Sequence, residues 1–165
     1  MKRLSLVIPI YLNLESLPEL LNRLQQVETL LNSISIELEV ITVIDGSTDT
    51  SMDYLESRRK DFNKLIILEL TRNFGSPKAV KAGYSEASGD AIVAISADLQ
   101  DPPELLETFY NKLNEGFDVV YAIRKKRKEG MSKRFLYWVY YRILQMISSI
   151  DIPLDSGDFS MISRR

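Results

Sequence analysis

Leu4-Ser5-Leu6-Val7-Ile8-Pro9-Ile10 is the stretch on which the fold turns. It is short, apolar and rich in β-branched side chains, which suits a parallel strand covered on both faces better than a half-exposed hairpin strand. Runs of the same kind recur at Leu38 to Ile44, Leu65 to Leu70, Ala91 to Ala97 and Phe117 to Ile123, and each of the first four runs is followed by a polar turn and a helical pattern. Such βα repetition predicts an α/β sheet of mostly parallel strands.

Capping chemistry marks where the helices begin. Ser16-Leu17-Pro18-Glu19 reads as a capping box with proline in the first turn, followed by Leu20, Leu21, Leu24, Val27 and Leu31 at helical spacing. Ser76-Pro77 and Asp101-Pro102 repeat the device, with Asp101 as N-cap and Glu104 as its capping-box partner. Gly116 fits the stop of the last of these helices, and Gly83, inside a predicted helix, implies tight packing on the sheet. Beyond Ile123 the pattern changes to a basic run, Arg124 to Lys128, and an aromatic-rich helix is expected from about Ser132 to Ser149. The chain closes on Phe159 to Ser163, the opening of another strand, and is expected to be an excerpt.

Composition narrows the chemistry. The chain has 165 residues, 45% hydrophobic and 27% charged, and a mean hydropathy of −0.10, with no apolar run long enough to span a bilayer. A single compact unit is expected. There are no cysteines and no histidines, which removes disulfides, thiolate nucleophiles, cysteine–zinc sites and the Ser-His-Asp triad. Any acid–base or metal chemistry therefore falls to carboxylates. A net charge of −2 gives no general basis for binding nucleic acid. The N-terminus lacks a signal-peptide core and cleavage site, so a cytoplasmic protein is expected.

In an open parallel sheet, ligands bind outside the carboxyl ends of the strands near the point where strand order reverses. Polar residues gather at four such ends: Tyr11, Asn13 and Glu15; Asp45-Gly46-Ser47; Arg72-Asn73-Phe74-Gly75; and Asp98-Leu99-Gln100-Asp101. Asp45 could accept hydrogen bonds from a nucleotide while Gly46 permits close backbone approach, although Asp-Gly-Ser is also ordinary turn chemistry, with Ser47 or Thr48 capping the next helix. Asp98 and Gln100 offer oxygen ligands two residues apart, suited to a hard cation such as Mg2+ or Mn2+. Arg72 and Asn73 suit either anion binding or loop carbonyls. The charges of 124–134 are a solvated face or a phosphate-binding patch, and the apolar residues of 132–149 a core stripe or a lipid contact.

Taken together, Val7-Ile8-Pro9-Ile10-Tyr11, Asp45 to Asp49, Arg72 to Gly75, Asp98 to Glu104 and Asp155-Ser156-Gly157-Asp158-Phe159 resemble the inverting A-type-fold glycosyltransferases. The likeness is to the polyprenyl-phosphate branch that includes dolichyl-phosphate mannose synthase and bactoprenol glucosyltransferases. It implies a Rossmann-like, mostly parallel sheet with helices on both faces. It also implies transfer of a sugar, with inversion and a divalent metal, Mg2+ or Mn2+, from a nucleotide-diphosphate sugar to a polyprenyl phosphate. By motif match, Pro9, Tyr11 and Asp45 would border the nucleoside, Asp98 and Gln100 would hold the metal, and Asp158 takes the position of the catalytic aspartate. Arg124 and Lys133 fall where acceptor-phosphate contacts are expected.

The implied organisation is one catalytic domain over 1–165. It has a nucleotide-binding part, 1–123, a basic connector and acceptor-side helix, 124–149, and the start of an acceptor-side strand, 150–165. The resemblance further implies a place at the inner face of the cell membrane, surface polysaccharide synthesis, and room for a homo-oligomer. Ser96-Ala97-Asp98 stands where the family often has Asp-x-Asp, and Ser160 where it has arginine. A soluble enzyme extending a glycan hydroxyl and a non-catalytic sugar-nucleotide-binding module are the alternatives.

Overall fold

The computed structural model describes residues 2–123 and 156–164, with Ser156, Gly157 and Asp158 described by backbone alone. The chain divides into two compact units, Met1–Val120 with Phe159–Arg165, and Tyr121–Asp158. Strand and helix alternate as β1 (Lys2–Ile10), α1 (Leu17–Ser33), β2 (Ile36–Asp45), α2 (Ser51–Ser57), β3 (Leu65–Leu70), α3 (Ser76–Glu86), β4 (Ala91–Ala94), α4 (Leu106–Asn114), β5 (Val119–Ile123) and β6 (Ser156–Ser163). The sheet order is β3-β2-β1-β4-β6-β5. β1 runs parallel to β2 and β4, β2 parallel to β3, and β6 antiparallel to β4. Strand order reverses at β1, the place where a crevice opens beyond the carboxyl ends.

Both faces of β1 are buried, as its unbroken apolar run predicts: Leu4, Leu6, Val7, Ile8 and Ile10 are all fully inaccessible. Val7, Ile41 and Val43 share a core with Ala79 of α3. α1 packs on β2, with Leu20, Leu24, Val27 and Leu31 buried. At the far side of the sheet, Phe109 of α4 meets Phe159 of β6 with ring centroids 4.8 Å apart.

Gly83 does what its place in the sequence implies. A Cβ there would stand 2.3 Å from Val7 Cγ1 and 3.1 Å from Val43 Cγ2. Alanine would gain about 1 kcal/mol in helix propensity but incur about 1–3 kcal/mol of overpacking. Gly83→Ala is therefore expected to lower stability by up to about 2 kcal/mol, and higher stability in urea melts would contradict this packing.

Of the three expected helix starts two hold in position, and none holds in its capping chemistry. α1 begins at Leu17 behind Ser16, yet Ser16 makes no side-chain cap. Its hydroxyl is shared between the carbonyls of Ala97 at 2.7 Å and Asn13 at 3.0 Å. α3 begins at Ser76 itself, with Gly75 as N-cap. Asp101 is not the N-cap of α4, which follows a 3-10 turn at Pro103–Leu105. Its Oδ2 accepts from the Ser96 amide at 3.0 Å, and Glu104 forms a two-pronged 2.7 Å pair with Arg23 of α1. Gly116 follows α4 with φ 109° and accounts for its stop.

The strand predicted over 91–97 is ordered only as Ala91–Ala94. Ile95 N–H still donates to Val7 O at 3.0 Å, so the backbone groups of Val7, and two residues on those of Pro9, face β4. β4 ends before reaching Pro9, so the missing proline N–H forfeits no ladder bond. The sheet parts between β1 and β4 at that point.

At the opposite end of the strands lies a buried polar cluster. Glu39, paired in register with Ser5 across β1 and β2, has a fully buried side chain. It accepts from the Ser5 hydroxyl, from the Ser88 amide at 2.8 Å and the Ser88 hydroxyl at 2.6 Å, and forms an ion pair with Lys64. Ser5 Oγ in turn accepts from the Gly89 amide at 2.8 Å. Every buried polar group in the cluster is thus answered.

Candidate functional site

The carboxyl ends of β1, β2 and β4 and the start of α3 enclose a cavity of about 240 Å3. Pro9, Tyr11 and Asp45, the three residues expected to border a nucleoside, all line it, together with Asn13, Asn73 and Ser96. Tyr11 is 45% exposed, an aromatic ring offered to solvent beside the opening. Arg72 and Lys78 flank Phe74, with Arg72 Cζ 4.8 Å and Lys78 Nζ 5.7 Å from its ring centroid. One cation on the loop before α3 and one in the first turn of α3 therefore stand beside Phe74.

Asp45 is nearly inaccessible, and both of its oxygens are engaged. Oδ1 accepts from the Phe74 amide and Oδ2 from the Gly75 amide, each at 2.8 Å. The carboxylate thus fixes the loop before α3 to the end of β2, while each oxygen keeps a second lone pair. Gly46 makes this approach feasible: its φ is 62°, and a Cβ would lie 2.3 Å from Arg72 C and 2.4 Å from Asn73 N. Close backbone approach was expected here toward a ligand, and in this structure the approaching backbone is the protein's own.

Asp98 and Gln100 sit on the exposed loop after β4. Asp98 Oδ1 accepts from the Gln100 amide at 3.1 Å, while Oδ2 has no partner among the described residues. Between them Leu99 has φ 66°, the left-handed region that a leucine adopts at a cost of about 1–2 kcal/mol. The Asp101 carboxylate on the Ser96 amide and the Ser16 hydroxyl on the Ala97 carbonyl close the base of this loop. Among the described residues no three acidic side chains gather into a ready-made metal cage. One exposed carboxylate with an open oxygen fits a hard cation that takes most of its ligands from water and substrate phosphates. Of the remaining expected site residues, Asp158 stands in β6 by backbone, and its side chain, Arg124, Lys133 and the expected helix of 132–149 lie outside the described residues.

Sequence reasoning gave Ser16 a capping role, left Ser47 between cap and site, and gave Asp49 no separate role; the structure ties all three to the loops around this cavity. Neither Ser47 nor Thr48 caps α2; Asp49 Oδ1 takes the Ser51 amide at 3.2 Å instead.

A mostly parallel sheet that opens at its reversal point onto a polar cavity, beside an acidic loop, is an α/β domain of the A-type glycosyltransferase fold. The chain belongs to Glycosyl transferase family 2, whose family model matches residues 5–165. It is 39% identical over 163 residues to an uncharacterized glycosyltransferase, sll0501, of Synechocystis sp., covering 98% of this chain and 50% of the relative. It is 40% identical over 162 residues to an uncharacterized glycosyltransferase, YkcC, of Bacillus subtilis, covering 98% and 49%. The chain thus spans about half the length of the curated relatives it matches.

Among solved structures, S. aureus TarS 1–349 in complex with UDP superposes with a TM-score of 0.62 at 27% identity, over 79% of this chain and 38% of that one. The mannosyltransferase PcManGT from Pyrobaculum calidifontis, in complex with GDP-Man and Mn2+, gives 0.67 at 18% identity over 98% and 44%, a likeness of fold. No helix among the described residues is long and apolar enough to cross a membrane.

Proposed function

We propose that this chain transfers a sugar from a nucleotide-diphosphate donor, with inversion at the anomeric carbon, to a polyprenyl phosphate. The observation that carries the donor half is the convergence of Pro9, Tyr11, Asp45 and Ser96 on one cavity where the sheet opens, with the Asp98 loop beside it. The S. aureus TarS structure holds UDP, which makes a uridine nucleotide the first donor to try. The acceptor half rests on sequence: the basic run Arg124 to Lys128, Lys133 and the aromatic pattern of 132–149 suit a phosphate headgroup at the inner membrane surface.

In the reaction, an acceptor phosphate oxygen forms a bond to the anomeric carbon from the side opposite the donor diphosphate. The bond from that carbon to the diphosphate breaks, and the nucleotide leaves with the electron pair. Tyr11 and Asp45 border the nucleoside, and Arg124 and Lys133 meet the acceptor phosphate. Asp98 and Gln100 would hold Mg2+ or Mn2+, which supplies charge neutralisation for the leaving diphosphate. A phosphomonoester with a second pKa near 6 is largely dianionic at neutral pH and hardly needs a base. Asp158 is therefore assigned to orienting the acceptor rather than deprotonating it.

A thermal-shift panel of UDP-, GDP- and dTDP-sugars with and without Mn2+ tests the donor half. A donor at about 100 times its Kd adds about 2.7 kcal/mol, a rise of roughly 5–10 °C for a domain of this size. No shift with any donor would remove the basis for this reading. Transfer to a polyprenyl phosphate, against transfer to a glycan hydroxyl, tests the acceptor half, and nucleotide binding with turnover to neither would mark a non-catalytic module. With a hydroxyl acceptor, Asp158 would act as general base, and the pH–rate profile would carry a limb that disappears in Asp158→Asn.

A further inference from the structure

The loop after β1 carries Tyr11 and Asn13 into the cavity, and it is an awkward loop. Leu12 has φ 55° and a side chain 53% exposed, so it occupies the left-handed region with little burial to compensate. What holds it there comes from the turn after β2. Leu12 N–H donates to Ser47 Oγ at 2.9 Å, and the Ser47 hydroxyl donates to Asp49 Oδ1 at 2.7 Å. Leu14 N–H donates to Asp49 Oδ2 at 3.3 Å. Inside the loop, Tyr11 N–H donates to Asn13 Oδ1 at 3.0 Å.

We propose that Ser47 and Asp49 form a strap that fixes the Tyr11–Leu14 loop in its nucleotide-receiving shape, making Asp49 a positioning residue for Tyr11. The inference rests on the donor reading above and adds to it how affinity is set. Asp49 suits the task because an ionised carboxylate only accepts, and three donors from two loops and a helix start converge on it. Burial pushes its carboxyl up, but the bonds from Ser47, Ser51 and the Leu14 amide outweigh this and hold it below the ordinary carboxylate range. It therefore remains ionised throughout the neutral range. Asparagine keeps the volume yet replaces one accepting oxygen with a donor, so at least one strand of the strap must part. Leu12 is then free to leave the left-handed region, and the Tyr11 ring loses its fixed place at the cavity.

UDP titrations of wild type, Asp49→Asn, Ser47→Ala, Tyr11→Ala and the Asp49→Asn/Tyr11→Ala pair test this, alongside amide hydrogen exchange. Asp49→Asn is expected to weaken UDP about tenfold, and to add little further loss once Tyr11 is alanine, because both act through one ring. Amides of Leu12 and Leu14 should exchange faster while those of β2 and α1 do not, whereas general destabilisation would quicken all of them. Ser47→Ala, which removes only the Leu12 bond and the tie to Asp49, should reproduce the loss in a smaller measure and serves if Asp49→Asn does not fold. Wild-type UDP affinity in Asp49→Asn, or an undiminished effect in the Tyr11→Ala background, would overturn the strap while leaving the donor reading intact. A wild-type chain that binds no nucleotide overturns the donor reading first, and the strap with it.

Discussion

Replacing Asp98 with alanine is expected to lower sugar transfer about 10³-fold while leaving the melting temperature almost unchanged. The two halves of that expectation have separate causes. Asp98 is exposed, and its one described hydrogen bond is a 3.1 Å contact with the Gln100 amide at a loop already closed by Asp101 and Ser16. Losing an exposed bond of this kind costs at most about 1 kcal/mol of stability. The open Oδ2, by contrast, is the oxygen that under the proposed function would meet a cation offsetting the charge of the leaving diphosphate. Ser96 supplies only a hydroxyl where a second carboxylate would otherwise share that work. Transfer rates, with UDP titrations in the presence and absence of Mn2+, check the assignment. A rate within threefold of wild type, or an Mn2+ enhancement of UDP affinity that survives in Asp98→Ala, would remove Asp98 from the site.

Glu39→Gln is expected to remove roughly 3 kcal/mol of stability without touching the cavity, which lies at the other end of the strands. Burial by itself would push the Glu39 carboxyl up, but the Lys64 ion pair and the hydrogen bonds from Ser5 and Ser88 reverse this and hold it at about 2. The carboxyl therefore ionises more readily in the folded chain than in the unfolded one. Its contribution is complete above the ordinary carboxylate range and drains away as pH falls toward about 2. Glutamine keeps the shape but turns an amide group toward donors that need acceptors, so the loss at neutral pH should lower the melting temperature by roughly 6–12 °C. Glu28 works in the opposite sense: burial raises its carboxyl, against one bond from the Asn63 amide, so its share of stability fades as pH rises. The difference between wild type and Glu39→Gln isolates Glu39 from that background. Denaturant melts at pH 7, 4.5 and 3 should show the two chains converging as the acid is added. A constant gap at all three values would exclude the linkage.

Much of this was legible beforehand because strand and helix periods are local. The buried run through β1 needs cover on both faces wherever it occurs, and Gly83 within a helical pattern pointed to close contact before Val7 and Val43 were known as its neighbours. Pro9, Tyr11 and Asp45 could be grouped because strand ends in a parallel sheet share one side. What a polar side chain bonds to is another matter. Ser16, Asp101 and Glu104 have the spacing of helix caps, and Ser16 marks its helix start while α4 begins five residues after Asp101; their partners are Ala97, Ser96 and Arg23, residues brought near only by the fold. The shortness of β4 is equally non-local, since its end is set by where β1 ceases to offer it partners.

The sequence by itself determined the order of strands and helices, the parallel character of the sheet and the side on which chemistry gathers. All three follow from side-chain periodicity and chain connectivity, which are written residue by residue. Only the tertiary structure decided that Asp45 clasps the Phe74–Gly75 backbone, that Ser47 and Asp49 reach across to the Tyr11 loop, and that Asp98 keeps one oxygen open. A carboxylate or hydroxyl accepts whichever donor the fold delivers within about 3 Å, and that delivery depends on pairs 29 to 35 residues apart that no local pattern encodes.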